Sequence, residues 1–417
     1  MTGRRKVRVA VVGAGPAGLA AATAAAAGGA SVLVVDQASH AGGQIWRHRD
    51  RSSLPEGART RLARFEVSGA EHLPGATVVD AEPGRLGVVT NLGPLAIEAD
   101  AIVLATGARE LFLPFPGWTL PNVFGVGGLQ ALIKAGLNVA GKRVVIAGSG
   151  PLLLPVAATV ATHGAALVAL CEQAEAWRVA AFGAGLWRSP SKFAEAARYR
   201  AAFRGTRFRT GCWIARADGG AAVGEVTLTD GRRSWRERCD LVATAAGLVP
   251  NVELGAAVGC RIADGALAVD DAQATSVPGV FAAGECTGVG GEELAILEGE
   301  IAGLAAIGRA TAALHPPRDR ARRVVGRIAR AFAPRPELLG RPDPDTVVCR
   351  CEDVRFEQLV AAWGAREAKL ATRAGMGACQ GRVCGAALER LFGWPPAAVR
   401  PPLSPARVAD LAALSER

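Results

Sequence analysis

A mixed α/β chain of two open parallel sheets of one design, with a small helical tail behind them, follows from three observations. Short β-branched strands run into glycine turns and apolar helices at two places, after Val12 and after Ala147. Each turn is answered by a later strand that also ends in a glycine: Gly13 and Gly107 lie 94 residues apart, Gly148 and Gly247 lie 99 apart. Four cysteines then gather in two close pairs near the C-terminus.

The first strand contains Val7, Val9, Val11 and Val12 and stops at Gly13, because Gly13-Ala14-Gly15-Pro16-Ala17-Gly18 spells G-x-G-x-x-G. Gly13 permits the tight turn, Gly15 lets a pyrophosphate approach the backbone, and Gly18 lets the next helix pack close to the strand. The helix continues from Leu19 to Ala27 almost wholly in alanine, and the N–H groups and dipole at its start, around Pro16 and Ala17, suit a diphosphate. The chain resumes as the strand Ser31 to Val35 and reaches Asp36, a carboxylate placed for a ribose hydroxyl. Strand, turn, helix, strand and acid in this order describe a Rossmann-like dinucleotide-binding unit.

After Asp36 come a polar glycine loop, His40 to Arg47, and a charged helical stretch to Ser68. Residues 77–97 read as short strands with a turn at Asn91-Leu92-Gly93, and Ala101 to Ala105 as a separate buried strand ending at Thr106-Gly107. Prolines at 114, 116 and 121 mark a crossing into a second domain at about Leu113. There Val144 to Ala147 leads into Gly148-Ser149-Gly150, a helix follows, and Leu167 to Leu170 ends at Cys171-Glu172. Leu153 stands where the third fingerprint glycine would be, so helix and strand must pack differently. Glu172 favours a 2′-hydroxyl over a 2′-phosphate, so Gly148, Gly150 and Glu172 fit NAD(H) or another adenine nucleotide, or else a site kept for packing alone. The third signal is Pro278 to Glu285, a strand ending in Gly284-Glu285, followed by a helix from Glu292 to Ile307. An acid at that place can hold a ribityl hydroxyl.

A length of 417 residues suggests two to four domains, half of the residues are hydrophobic, enough for a large core, and the early apolar runs are too short to span a bilayer. With no secretory signal and an odd number of cysteines, nine, the chain is expected in the cytoplasm, free or at a membrane surface, without a disulfide framework. The net charge of +10 is concentrated around Arg198 to Arg209 and Arg318 to Arg330. Neither stretch resembles a nucleic-acid module; a solvated helix face is the first reading, and an acidic partner protein or anionic lipid the others.

The motifs Gly13 to Gly18 with Asp36, Gly42-Gly43-Gln44, Ala105-Thr106-Gly107 and Ala283-Gly284-Glu285 resemble those of the pyridine nucleotide-disulfide oxidoreductase family of two-dinucleotide flavoproteins, over residues 7–310. The resemblance implies FAD in the first site, with Gly13, Gly15 and Gly18 at the diphosphate, Asp36 at the adenosine ribose, Gly43, Gln44, Thr106 and Gly107 lining the site, and Gly284-Glu285 at the ribityl chain. Glutamate at 285 departs from the family's usual aspartate. A dithiol is also missing: Cys171, Cys212, Cys239, Cys260 and Cys286 are isolated in sequence, so electrons need another exit.

That exit is expected in the tail. A linker, residues 313–345, precedes Cys349-Arg350-Cys351; a helical segment, Arg355 to Trp363, and a glycine loop, Ala374 to Ala378, lead to Cys379 and Cys384. Four thiols here can hold a [2Fe-2S] cluster, hold a structural zinc ion or stay unligated; the C-x-C and C-x4-C spacings fit common zinc sites poorly, and a flavin on the same chain gives a redox cluster a role. The tail resembles bacterioferritin-associated-ferredoxin-like [2Fe-2S] domains. The longer second spacing and the run Gly148 to Pro155 resemble a subgroup in which that domain follows a two-dinucleotide flavoprotein: opine oxidase A subunits, the hydrogen cyanide synthase flavoprotein subunit, and the α subunits of proline and hydroxyproline dehydrogenases.

The resemblance implies an electron-transfer subunit with FAD and a cluster on Cys349, Cys351, Cys379 and Cys384, partnered by a D-amino-acid-oxidase-like flavoprotein and a small ferredoxin-like subunit. No residue presents itself as a substrate base. The rival readings are an NAD(P)H-dependent reductase and a cofactor-bearing scaffold subunit. The expected division is an FAD-binding domain at 1–113 and 245–312, a second dinucleotide domain at 114–244, the linker at 313–345 and the tail domain at 346–417.

Overall fold

A computed structural model describes residues 3–185, 190–340, 342–395 and 398–415; Arg341 of the expected linker lies outside them. The chain forms two compact units, one of Met1–Arg109, Val249–Val325 and Ala398–Arg417, the other of Glu110–Leu248 and Gly326–Ala397.

In the first unit, β1 (Gly3–Val12) is central because valines fill both of its faces over its last four residues, all buried. It pairs in parallel with β2 (Val32–Val35) on one side and with β6 (Gly93–Leu104) on the other, Val9 facing Val32 and Ala101. The helix α1 (Pro16–Ala27) joins β1 to β2, and α2 (Glu56–Glu66) leads to the edge strand β3 (Glu71–Leu73). The hairpin strands β4 (Thr77–Glu82) and β5 (Arg85–Thr90) extend the sheet antiparallel, giving the order β3-β2-β1-β6-β5-β4. The sequence reading split β6 in two. It is one strand, because residues 93–98 pair with β5, residues 102–104 pair with the short strand Val280–Ala282, and the ladder to β1 runs unbroken in direction from Leu95 to Leu104.

The second unit repeats the design. From β7 (Ala108–Glu110) the chain enters β8 (Val123–Gly125), α3 (Val126–Lys134), β9 (Arg143–Gly148), α4 (Leu153–Thr162) and β10 (Ala166–Glu172). After α5 (Ala176–Gly185) and α6 (Pro190–Ala202) come β11 (Phe208–Thr210), an antiparallel meander of β12 (Trp213–Gly219), β13 (Val223–Thr229) and β14 (Ser234–Arg238), and β15 (Leu241–Ala245). The parallel sheet runs β11-β10-β9-β15-β8, so β10-β9-β15 reproduces β2-β1-β6.

Back in the first unit, α7 (Glu253–Val258) precedes Val280–Ala282 and α8 (Glu292–Ala305). Helix α8 lies tight on α1: a Cβ on Gly299 would sit 2.1 Å from the Ala17 carbonyl oxygen, and one on Gly303 would sit 2.2 Å from that of Ala21. Two glycines a turn apart facing an alanine helix therefore set this contact.

The expected linker is largely helix. Residues His315–Ala331 form α9, whose basic residues are not simply a solvated face. Arg318 is 2% exposed and donates to the Asp271 backbone oxygen and carboxylate, each at 2.9 Å, and Arg322 donates to the buried Glu298 at 3.0 Å. Of the helical segment expected at 355–363 only a 3-10 turn, Phe356–Gln358, forms, with Phe356 and Leu359 turned into the tail's apolar core; the α-helix of this region lies further on, as α10 (Ala365–Thr372), with Gly364 and Glu367 as its N-terminal capping pair. After α11 (Cys384–Phe392), the closing residues 398–415, which the sequence reading grouped with the tail, group with the first unit. Leu403 N–H donates to the Val79 carbonyl at 2.8 Å, and Arg85 donates to the Leu414 carbonyl in α12 (Val408–Ser415) at 2.7 Å.

Candidate functional site

The carboxyl ends of β2, β1, β6 and Val280–Ala282 stand side by side in the first sheet, the edge where open α/β sheets take ligands. Asp36, Gly13, Thr106-Gly107 and Gly284-Glu285 follow those four ends. The fingerprint glycines divide in use. A Cβ on Gly13, at φ +108°, would lie 2.2 Å from the Ala105 carbonyl oxygen, and one on Gly18 would lie 1.8 Å from that of Gly13; both are demanded by the chain itself. A Cβ on Gly15 meets nothing nearer than the Gly43 Cα at 3.9 Å. Gly15 is thus bare toward open space, at the start of α1, where Pro16 and Ala17 form the first turn. Such a cradle fits a diphosphate.

The walls are fixed by hydrogen bonds. Asp36 accepts from Ala14 N–H at 2.5 Å and Ala38 N–H at 2.6 Å, Gly42 N–H donates to the Ala14 carbonyl at 2.8 Å, and Gln44 beside Gly43 is exposed. Thr106 donates through its hydroxyl to the Asn251 carbonyl at 2.7 Å and accepts from the Asn251 amide at its own carbonyl at 2.9 Å. Glu285 uses one carboxylate oxygen on the N–H groups of Gly290 (3.3 Å) and Gly291 (2.7 Å), while the other, Oε2, is buried with no partner among the described residues. Burial pushes its pKa up. A buried orphan acceptor fits a ligand hydroxyl.

The second turn repeats the framework with a different outcome. A Cβ on Gly148 would lie 2.3 Å from the Ala245 carbonyl oxygen, as Gly13 does with Ala105. Glu172, like Asp36, bridges two backbone N–H groups, Gly150 at 2.7 Å and Ala174 at 2.8 Å. Leu153 is accommodated because α4 starts there, two residues later than α1 starts in its copy, and its side chain is 1% exposed in the unit's core. Burial pushes the Glu172 carboxyl up to about 7. A carboxyl raised on folding stabilises below its unfolded pKa and loses that contribution as pH rises through the folded value. The unit's melting temperature is therefore expected to fall between about pH 5 and pH 8 through this group, and Glu172→Gln to flatten that slope, which a pH series of thermal melts reads directly.

The four tail cysteines meet in two pairs within the second unit. Cys349 is hydrogen-bonded to Cys384, whose thiol lowers the Cys349 pKa with help from the N–H groups of Gly375, Glu352 and Cys351, while the Cys384 pKa rises; Cys351 is bonded to Cys379. Among the described residues no group of three or more histidine, cysteine, aspartate or glutamate side chains forms a ready-made metal site. The donors present are all sulfur, ringed by backbone: a Cβ on Gly377 would lie 2.2 Å from the Cys351 Cβ, and Gln380 and Gly381 are both left-handed, at φ +52° and +79°. This donor set fits a thiolate-held group. Cys349 and Cys384 are buried, Cys351 is exposed and Cys379 half-buried. Trp118 fastens the tail by donating to the Val347 carbonyl at 2.5 Å.

Residues 7–312 match the family model described as pyridine nucleotide-disulphide oxidoreductase. The chain belongs to this family. It is accordingly an FAD-dependent oxidoreductase. The opine oxidase A subunit of Rhizobium meliloti is 32% identical over 97% of this chain and 87% of that protein. The HcnB subunit of hydrogen cyanide synthase from Pseudomonas aeruginosa is 32% identical over 91% of each. Both relatives are subunits of larger enzymes. The fold is that of L-proline dehydrogenase from P. horikoshii, with a TM-score of 0.71 over 99% of this chain and 80% of that one, at 17% identity.

Within this oxidoreductase the cysteines isolated in sequence do not all remain so in space. Cys171, near the end of β10, and Cys212, just before β12, are hydrogen-bonded to each other and both buried. Cys286 is buried, its thiol donating to the Leu104 carbonyl at 3.3 Å. The sequence reading missed Asn251, which also accepts from Arg109 at 2.8 Å, and Gln173 and Phe332 beside the second turn. Asn251 follows Pro250, a local signal that was passed over. Among the described residues no helix is long and apolar enough to cross a membrane.

Proposed function

We propose that this chain is the FAD- and [2Fe-2S]-carrying electron-transfer subunit of a multi-subunit dehydrogenase for amines or imino acids of the opine, proline, hydroxyproline or glycine class. The observation that carries the reading is the four-thiol set, with Cys351 and Cys379 toward the surface, on the same chain as an open glycine cradle. Gly15, Pro16, Ala17 and Asp36 hold the adenosine diphosphate end of FAD, Glu285 offers its unpartnered oxygen to the ribityl chain, and Gly13, Gly18 and Gly284 shape the backbone around them. Gly43, Gln44, Thr106 and Gly107 line the same site. Cys349, Cys351, Cys379 and Cys384 hold the cluster. Bound FAD supplies two-electron acceptance and the cluster one-electron transfer.

The substrate is oxidised on a partner, a D-amino-acid-oxidase-like flavoprotein, and a small ferredoxin-like subunit completes the assembly. The names of the relatives support a subunit role. The complex works in the cytoplasm, free or at a membrane face. Anaerobic addition of the amine to chain and partner together is expected to bleach the flavin of both, whereas the chain alone stays oxidised. Bleaching of the isolated chain by NADH at a catalytic rate would establish the reductase reading instead.

A further inference from the structure

The second glycine turn is where a nicotinamide dinucleotide would rest its diphosphate if this unit bound one. The same unit's own segment, Phe332 to Arg335, lies there. The Ser149 hydroxyl donates to the Phe332 carbonyl at 2.8 Å, and Gln173, 0% exposed, donates through Nε2 to the Ser149 oxygen at 2.9 Å and the Ala333 carbonyl at 3.2 Å. The Gln173 Oε1 accepts from Arg335 N–H at 3.0 Å. The Phe332 ring meets Phe182 edge to face with centroids 5.2 Å apart, and a Cβ on Gly150 would come within 3.9 Å of the Phe332 side chain. Where the first turn faces the bare Cα of Gly43, the second faces a phenyl group.

Donors of the turn are engaged as well: Ser149 N–H donates to the Ala245 carbonyl at 2.9 Å and Gly150 N–H to Glu172 at 2.7 Å, while Leu153 and Leu154, which open α4, donate to the Gly150 and Pro151 carbonyls at 3.2 Å. Glu172 is 2% exposed with both carboxylate oxygens occupied. We propose that Phe332–Arg335 is a built-in plug of the second dinucleotide unit, held by Ser149 and Gln173, which excludes NAD(P)H from the turn. The unit keeps a dinucleotide-binding framework without accepting electrons from a nicotinamide. This stands on the second unit alone and is independent of what the tail cysteines hold.

NADH titration of the full chain, followed by nucleotide fluorescence, tests the plug. The unaltered protein should show no saturable binding. Gln173→Ala, which unhooks Ala333 and Arg335, and Phe332→Gly, which removes the ring, should each tighten apparent binding by about tenfold or more, because the open turn is no longer a minor state. Circular dichroism and FAD content establish that the variants fold. Saturable binding by the unaltered chain as tight as by the variants overturns the proposal, and so does absence of binding by folded variants, since the plug would then not be what closes the turn. Hydrogen exchange on the unaltered chain decides without any variant: the Arg335 amide should be protected and remain so in NADH. Loss of that protection on adding NADH contradicts a sealed turn.

Discussion

Gly15→Val is expected to give folded protein that carries no FAD. The three fingerprint glycines look equivalent in sequence, but their surroundings are opposite. A side chain on Gly13 or Gly18 strikes backbone at 2.2 and 1.8 Å, so such a variant disturbs β1, α1 and the strand end at Ala105 and should lose the first unit's fold. A side chain on Gly15 points into open space, beside Gly43, and costs the empty chain little. Two methyl groups there fill the cradle that a diphosphate needs. Flavin per chain after purification should fall to near zero while circular dichroism stays native. Gly18→Val should instead yield insoluble or molten protein. Stoichiometric flavin in the Gly15 variant would remove the cradle from the binding site.

Cys384→Ser is expected to abolish steady-state electron transfer while leaving FAD in place. Cys384 is buried at the start of α11 in contact with Cys349, so a serine there removes one of four thiolates and leaves an oxygen that holds iron poorly. The residues proposed to hold the flavin belong to the other compact unit, which closes its own sheet through β6 and Val280–Ala282. With partner and amine present, the partner's flavin should still be reduced, and transfer to an external acceptor should drop to background. Full turnover would make the tail a structural element.

The repeated strand–turn–helix order, the acids Asp36 and Glu172 and the clustering of four tail cysteines are legible in the sequence because each is a local pattern: a β-branched run, a glycine, a residue type at fixed spacing; that the cysteines pair crosswise, Cys349 with Cys384 and Cys351 with Cys379, is not. What escaped is long-range or depends on packing. Ser149 and Phe332 are 183 residues apart, so nothing near either one announces their bond. Asn251 and Thr106 are 145 apart. The basic run Arg318 to Arg330 reads as a helix face, but the start of α9 was hidden by His315-Pro316-Pro317, which reads as a breaker yet suits a first helical turn, where proline loses no hydrogen bond. Of the helix expected at 355–363 only one 3-10 turn, Phe356–Gln358, forms, because Phe356 and Leu359 are claimed by the tail core, with Phe356, Phe392 and Trp394 stacked at 5.5 and 4.4 Å. Leu153 looked like a lost glycine and is instead a core residue of a helix that starts late.

The most direct measurement is the iron, acid-labile sulfide, zinc and flavin content of the purified chain, taken on one sample. The account predicts a brown protein with one FAD and, for a [2Fe-2S] cluster, two irons and two sulfides per chain. A yellow protein holding zinc and no sulfide would contradict it.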